Sequence, residues 1–381
     1  MMRPRSLALA LLISTALAPA AGAQGALSLL GLGYPPGGFS ARAEGTGGGM
    51  ADFDPMSATS DAALAGVGST AVFFQYSPEW RKVTVPNGEA NTTTARFPVL
   101  VGALPMGPNW TLGLGSTTFL DRSQETSLTR TQVVGTTNDT ITLVERNKVL
   151  GAINDVRLAL AYSSNPVVRV GVGAHVFAGS NRITFSQIFP DSAIFISTSQ
   201  TARISYAGFA FSGGIEIHPI QSLAFAISGR KGGELRAESG DSSLIGTAHI
   251  PDHFSGSIAF EGFPGASISA RVAHDSWSSL QSLSSTGVKA LDGWDTGVGI
   301  EATGPRLMQR IIALRAGARF RTLPFAYNGE KVSESTFAAG LGVPLSRDRA
   351  ALDFSLQHAS RTAADIKERG LILSFGLRVT P

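Results

Sequence analysis

Histidine, serine and arginine carry whatever chemistry this chain could perform, since it has 381 residues, 6 His and 0 Cys. His249 and His253 form a His-x3-His pair, a spacing that lets two imidazoles on one helix face share a metal. Pro251 lies between them and argues against a helix. In an extended strand the pair would stand ~13 Å apart, too far for one ion, so they read as a loop histidine and a lumen-facing one. His274-Asp275-Ser276 holds the residue types of a nucleophilic triad, but neighbours on a strand face opposite sides and cannot converge. No Gly-x-Ser-x-Gly element occurs. An enzyme would need its residues assembled wholly by the fold, and the expectation is no enzyme, no metal and no cofactor. Arginine offers more: Arg315, Arg319 and Arg321 share one parity of an extended segment, and guanidinium groups so stacked can grip carboxylates or other anions.

The elements that would position these groups are strands. From Val72 onward, segments of about ten residues alternate apolar with small or polar residues, the pattern of a membrane barrel strand with one face to lipid and one to the lumen. Val168, Val170, Val172, Ala174 and Val176 alternate with Arg169, Gly171, Gly173 and His175. Ile312, Leu314, Ala316, Ala318 and Phe320 alternate with Arg315, Gly317, Arg319 and Arg321; Leu371 to Val379 repeats the pattern. Period-two alternation sends each set to its own face. Short Pro/Gly turns at Met106–Asn109, Ser164–Pro166, His218–Ile220, Gly262–Gly265, Gly304–Arg306 and Ser346–Asp348 alternate with longer polar stretches around 120–148, 179–200, 231–250 and 277–292. Counting around them predicts 14 strands, near 70–85, 94–104, 109–119, 149–163, 167–178, 201–216, 221–231, 251–262, 265–276, 292–303, 309–322, 334–345, 350–360 and 368–379. The expected fold is therefore an all-β transmembrane antiparallel barrel, with a soluble β-sandwich as the rival. Trp110, Trp277, Trp294 and Trp80 fall where an aromatic girdle would lie.

Parity places Arg81, Arg96, Arg157, Arg169, Arg203, Arg230, Arg271, Arg315, Arg319 and Arg321 inside, with Glu79, Asp155, Glu261, Asp275, Asp295, Glu301 and Asp353. Interleaved signs favour a ladder of ion pairs filling the interior over an anion path; Arg169, Arg271, Arg315, Arg319 and Arg321 are the residues such a path would use. Leu314 should face lipid, and Gly317, facing the lumen, should tolerate serine.

The N-terminus reads as an export signal: Arg3 and Arg5, an apolar run from Ser6 to Ala18, then Ala21-Gly22-Ala23, with cleavage expected after Ala23. That run is shorter than the ~20 residues a spanning helix needs. Charged residues make up 15 %, below the ~25 % usual in soluble proteins. Without Arg3 and Arg5 the chain carries 29 basic against 28 acidic residues, which gives no electrostatic reason to expect nucleic acid. Asn91, Asn109 and Asn138 match glycosylation sequons, uninformative for an exported bacterial chain.

Residues 38–66 do not alternate. Ala41-Arg42-Ala43-Glu44-Gly45, Ala51-Asp52 and Asp61-Ala62-Ala63-Leu64 resemble the N-terminal plug of the FadL-type outer-membrane transporters, whose Asn-Pro-Ala-Leu step is here Asp61-Ala62-Ala63-Leu64. Glu368-x-Gly370-x-x-Leu373-x-Phe375 is similar to the last-strand signal for barrel insertion, although the chain finishes in Thr380-Pro381. The resemblance implies a signal peptide (1–23), a plug (24–69) and a barrel of 14 strands (70–381) in the bacterial outer membrane, admitting hydrophobic or amphipathic solutes such as fatty acids. Its partners would be outer-membrane lipids, the barrel-assembly machinery and the solute. The alternative is a scaffold barrel holding surface or secretion partners. The plug's Arg42, Glu44, Asp52, Asp54 and Asp61 sum to −3. They are expected to dock against Arg315, Arg319 and Arg321, with Leu27, Leu29, Leu30 and Leu32 lining an apolar pocket.

Overall fold

A computed structural model describes residues 33–85, 88–134, 139–189, 196–284, 289–307, 310–327, 329–345 and 349–381. The signal sequence and Leu27 to Leu32 lie outside the described residues. One antiparallel sheet contains β1 (Ala71–Val85), β2 (Gly88–Arg96), β3 (Val99–Met106), β4 (Trp110–Asp121), β5 (Gln124–Val134) and β6 (Asp139–Tyr162). It continues through β7 (Val168–Ile188), β8 (Thr198–Ile220), β9 (Leu223–Ser239), β10 (Leu244–His249), β11 (His253–Phe263) and β12 (Ala266–Asp275). β13 (Gly293–Leu307), β14 (Arg310–Tyr327), β15 (Glu330–Leu345), β16 (Ala350–Ala363) and β17 (Ile366–Val379) complete it. β17 pairs with β1, so the sheet closes on itself and leaves no open edge.

Three pairs of segments are single staves with a break: β2 and β3 both pair with β1, β4 and β5 with β6, and β10 and β11 with β9. The wall is thus a closed 14-stranded barrel. Each break has a local cause. Pro98 has no N–H to give the ladder at the first, and Pro251 none at the third. At the second, β4 pairs with β6 through a register shift between Thr118 and Leu120.

Alternation sorts the faces as expected. Phe74, Trp80, Leu114, Val172, Leu314 and Phe320 are exposed on the outer surface, while Glu79, Arg81, Gly171, His175, Arg315 and Arg319 are buried within. Trp110 caps one end of the outer face against Tyr162, ring centroids 4.6 Å apart, and Trp294 stands near the other.

Several expectations need correction. The polar stretches 120–148, 179–200 and 231–250 are largely strand extensions that heighten the wall on one side, because their threonines and serines pair across strands as well as apolar residues do. Trp277 is not in a girdle. It opens a 3₁₀ turn (Trp277–Leu283) folded into the barrel mouth and stacks on Phe119 at 5.3 Å. Arg203 faces outward opposite Arg182, because it shares the odd-numbered face of β8 with the exposed Phe209 and Phe211. Glu261 is exposed at the rim, where the β11–β12 register shifts. Ile312 is covered, because one residue there opposes the two-residue bulge Gly304–Pro305.

Candidate functional site

The interior of the barrel holds the chain's own N-terminal part. Ser40 starts a short helix, α1 (Ala41–Gly45), accepting the Ala43 N–H on its Oγ at 3.1 Å; a Gly-rich run then ends it. From α1 the segment sweeps around the wall. It passes β14 to β17 at residues 41–45, β13 near Gly47, and β11 and β12 near Asp52; it then reaches β9 near Thr59 and β6 to β8 near Asp61 and Ala62 before entering β1. Wall glycines allow the approach: a Cβ at Gly317 would lie 2.2 Å from the Thr46 carbonyl carbon, and one at Gly297 2.4 Å from the Gly47 oxygen. Gly317 therefore has no room for serine, contrary to the lumen-facing expectation, because its open side is filled by backbone rather than water.

Polar anchors recur along this path. Arg42 makes a bidentate pair with Glu301 at 2.9 and 2.7 Å. Glu44 accepts from Ser355 Oγ at 3.0 Å. Asp52 accepts from Ser257 (2.7 Å), Ser255 (2.9 Å) and Arg271 Nε (3.1 Å). Asp54 bonds to Ser40 Oγ and accepts the Met56 N–H at 3.2 Å, bracing the segment itself. Asp61 accepts from Arg157 Nη1 at 3.0 Å and Ser212 Oγ at 2.5 Å.

The acids do not dock on the three arginines of β14. Arg315 is held by Glu301 and Asp353, both at 2.6 Å; Arg319 by both oxygens of Asp295; Arg321 by Glu334. The cause is register. Glu301 lies directly across from Arg315 and Asp295 across from Arg321, so wall carboxylates reach these guanidinium groups first. The segment meets them otherwise: Arg321 donates to the Pro35 carbonyl (2.8 Å) and Tyr34 Oη, and Arg319 lies 4.3 Å from the Phe39 ring centroid. Arg169 pairs with Glu216 at 2.7 Å, beneath Gly66. Interleaved ion pairs thus dominate the lumen, the ladder the alternating signs favoured.

Sequence reasoning missed the densest group. Arg81, Arg96, Arg321 and Arg361 surround the Tyr34 ring with guanidinium carbons 4.7–5.4 Å from its centroid, balanced by Glu79, Asp121, Glu334 and Glu368. Arg361 and Glu334 had the signal of inward parity, shared with Ala359 and Val332. Tyr34 had none, since its segment does not alternate. Glu368, read as part of an insertion signal, is wholly buried in this group.

Between the inner segment and the mouth lies a cavity of about 130 Å³. Phe39, Phe119, Trp277 and Leu323 give it apolar walls, while Arg157, His175, Ser212, Arg230, His253, Arg271, Arg319 and Arg321 give it polar ones. Of the five arginines singled out for a ligand path, it brings together Arg271, Arg319 and Arg321; Arg169 and Arg315 do not line it. Ser212, Gly229, Arg230 and His253 also border a groove of about 400 Å³ with Phe211, Gly213, Lys231 and Asp252, beside the break between β10 and β11. His253 bonds Asp275 through Nδ1 at 2.8 Å, and His274 turns the other way, its ring 4.8 Å from Trp294.

No family model matches the sequence, and no curated protein does. The fold is shared more widely. A Pseudomonas aeruginosa FadL homologue superposes with a TM-score of 0.66 at 11 % identity, over 92 % of this chain and 99 % of that one. The CymD monoaromatic hydrocarbon channel and the P. putida toluene transporter TodX each superpose at 0.56 and 12 % identity, over 90 % and 91 % of this chain and 98 % and 97 % of theirs. The resemblance to FadL-type barrels thus extends from the Arg42 to Leu64 motifs to the whole fold.

Proposed function

We propose that this protein is an outer-membrane barrel that admits hydrophobic or amphipathic small molecules, with residues 24–69 acting as a plug. The observation that carries this is the cavity held between the inner segment and the Phe119–Trp277 lid, four of whose lining residues also border the groove beside the β10–β11 break. A solute with an apolar body finds aromatic walls there, and the groove gives it a side approach that does not cross the polar mouth. The CymD monoaromatic hydrocarbon channel and the toluene transporter TodX handle compounds of this kind, which supports the class of solute. The outward apolar band would contact outer-membrane lipids, and insertion would depend on the barrel-assembly machinery. A scaffold role is less favoured, because the wall extensions above the mouth carry polar cross-strand pairs such as Thr184–Thr201 and Ser186–Ser199 rather than a continuous apolar surface.

Uptake of octanol and octanoate into proteoliposomes tests the proposal. Transport should exceed that of protein-free vesicles, and Thr117→Trp, which fills the cavity, should abolish the excess. Uptake no faster than in protein-free vesicles would refute it.

A further inference from the structure

Two wall side chains, Arg157 and Ser212, meet one carboxylate, and His175 on the strand between them touches the serine. Arg157 on β6 and His175 on β7 are direct cross-strand partners; Ser212 on β8 is paired with Gly173, two residues before His175. All three side chains point inward and line the cavity. Asp61 of the inner segment lies against them, 1 % exposed, with a separate donor on each oxygen: Arg157 on Oδ1 and Ser212 on Oδ2. The serine's single hydrogen is thereby used on Asp61, and His175 Nε2 lies 2.7 Å from Ser212 Oγ. The ring is itself oriented by Asp155, 2.8 Å from Nδ1. Asp155, His175 and Ser212 have the residue types of a nucleophilic triad, but with the hydroxyl proton committed to Asp61 their arrangement is that of an anion cradle. Its floor is glycine: a Cβ at Gly171 would lie 2.4 Å from the Asp61 carbonyl carbon, and one at Gly173 2.9 Å from Asp61 Oδ1.

We infer that Arg157, Ser212 and His175 form a carboxylate-binding subsite of the lumen, which the chain's own Asp61 fills and which the carboxylate of an amphipathic ligand takes over. The inference rests on the transport reading and adds how a ligand would free the inner segment. The cradle belongs to the wall, whereas its occupant belongs to the segment. Removal of Asp61 leaves a buried guanidinium without its partner, a costly state that a free carboxylate relieves. A ligand carboxylate reaches the same donors from the cavity while its apolar body rests on Phe119 and Trp277. The exchange conserves charge in the cradle. A neutral alcohol offers no such exchange and passes only when Asp61 leaves the cradle unaided.

Because the chain has 0 Cys, one cysteine at Ala65, next to the cradle on the segment, is a unique reporter, read by its thiol-labelling rate. In the Asp61→Ala full-length protein, acetate should slow labelling about tenfold relative to equal acetamide or chloride, with little effect when Asp61 is present, and adding Arg157→Gln should remove the response. Acetate no better than acetamide in the inserted variant overturns the inference. If Asp61→Ala does not insert, Asp61→Asn serves: octanoate, but not octanol, should release its segment at roughly one tenth of the concentration needed with Asp61, and an unchanged concentration overturns the inference. Octanol uptake that persists without either response removes the subsite alone; absence of all uptake removes the transport reading.

Discussion

Leu314 and Gly317 stand three residues apart on β14 and face opposite media. Leu314→Arg places a charge on the outer apolar band and should destabilise insertion by about 2–4 kcal/mol, measured by unfolding from lipid vesicles. Gly317→Ser should leave the barrel inserted but displace residues 46–47, because its Cβ would fall 2.2 Å from backbone. The expected cost, about 1–3 kcal/mol, should appear as faster labelling of a cysteine at Ala65, with heat-modifiability unchanged. Glu44 gives a pH dependence. Burial pushes its carboxyl up to about 7, beyond the lowering by Ser374, Ser355 and Arg319. A released segment would titrate near the ordinary 4.5. Between these values the docked form holds a proton that the released form gives up, so docking should weaken as pH rises through this window, by on the order of 2–3 kcal/mol at its upper end. Divided by the thiolate fraction of a free cysteine, labelling at Ala65 should quicken from pH 5 to pH 8, and Glu44→Gln should flatten that corrected dependence; a flat corrected profile in the unsubstituted carboxylate would contradict it.

At the scale of elements, the inner segment and the wall are complementary surfaces rather than a tail lying in a pore. Arg42, Asp52 and Asp61 each meet an opposite charge on a different strand, and Tyr34 sits among four arginines. A flexible tail would not repeat such pairing around the wall. Deleting residues 24–66 should therefore raise single-channel conductance in planar bilayers. The same conductance from a correctly inserted deletion protein would mean the segment does not close the lumen. The broken staves are the other element-level device. At β10–β11, Pro251 interrupts the ladder beside the cavity, where the groove meets the wall.

For the whole molecule, closure by β1 and β17 satisfies the backbone within the sheet, and the outer face carries a band of exposed apolar side chains such as Phe74, Leu114, Val172 and Leu314. Such a surface is insoluble in water without lipid or detergent. The protein should fractionate with outer membranes and migrate faster in gels when left unheated than after boiling. Recovery as a soluble periplasmic protein would contradict both the location and the transport proposal.

How much of this the chain announces depends on whether the determining contacts are local. The barrel was legible because outward and inward residues alternate with period two, a property of each strand alone; hence the series from Val168 and Leu371 read correctly and the count of 14 holds. The strand extensions were less legible, since polar threonine and serine pairs look like loop. Arg271, Arg319 and Arg321 were legible as inward, but their partners were not. Partner choice follows from interstrand register, which set Glu301 across from Arg315 and left Arg157 and Arg271 for Asp61 and Asp52. Tyr34, the His175–Ser212 cradle and the loss of tolerance at Gly317 arise from residues 100 or more positions apart in most cases, joined by a segment without periodicity. Local sequence determined which way each wall side chain points; only closure of the barrel around its own N-terminal segment decided what each one meets.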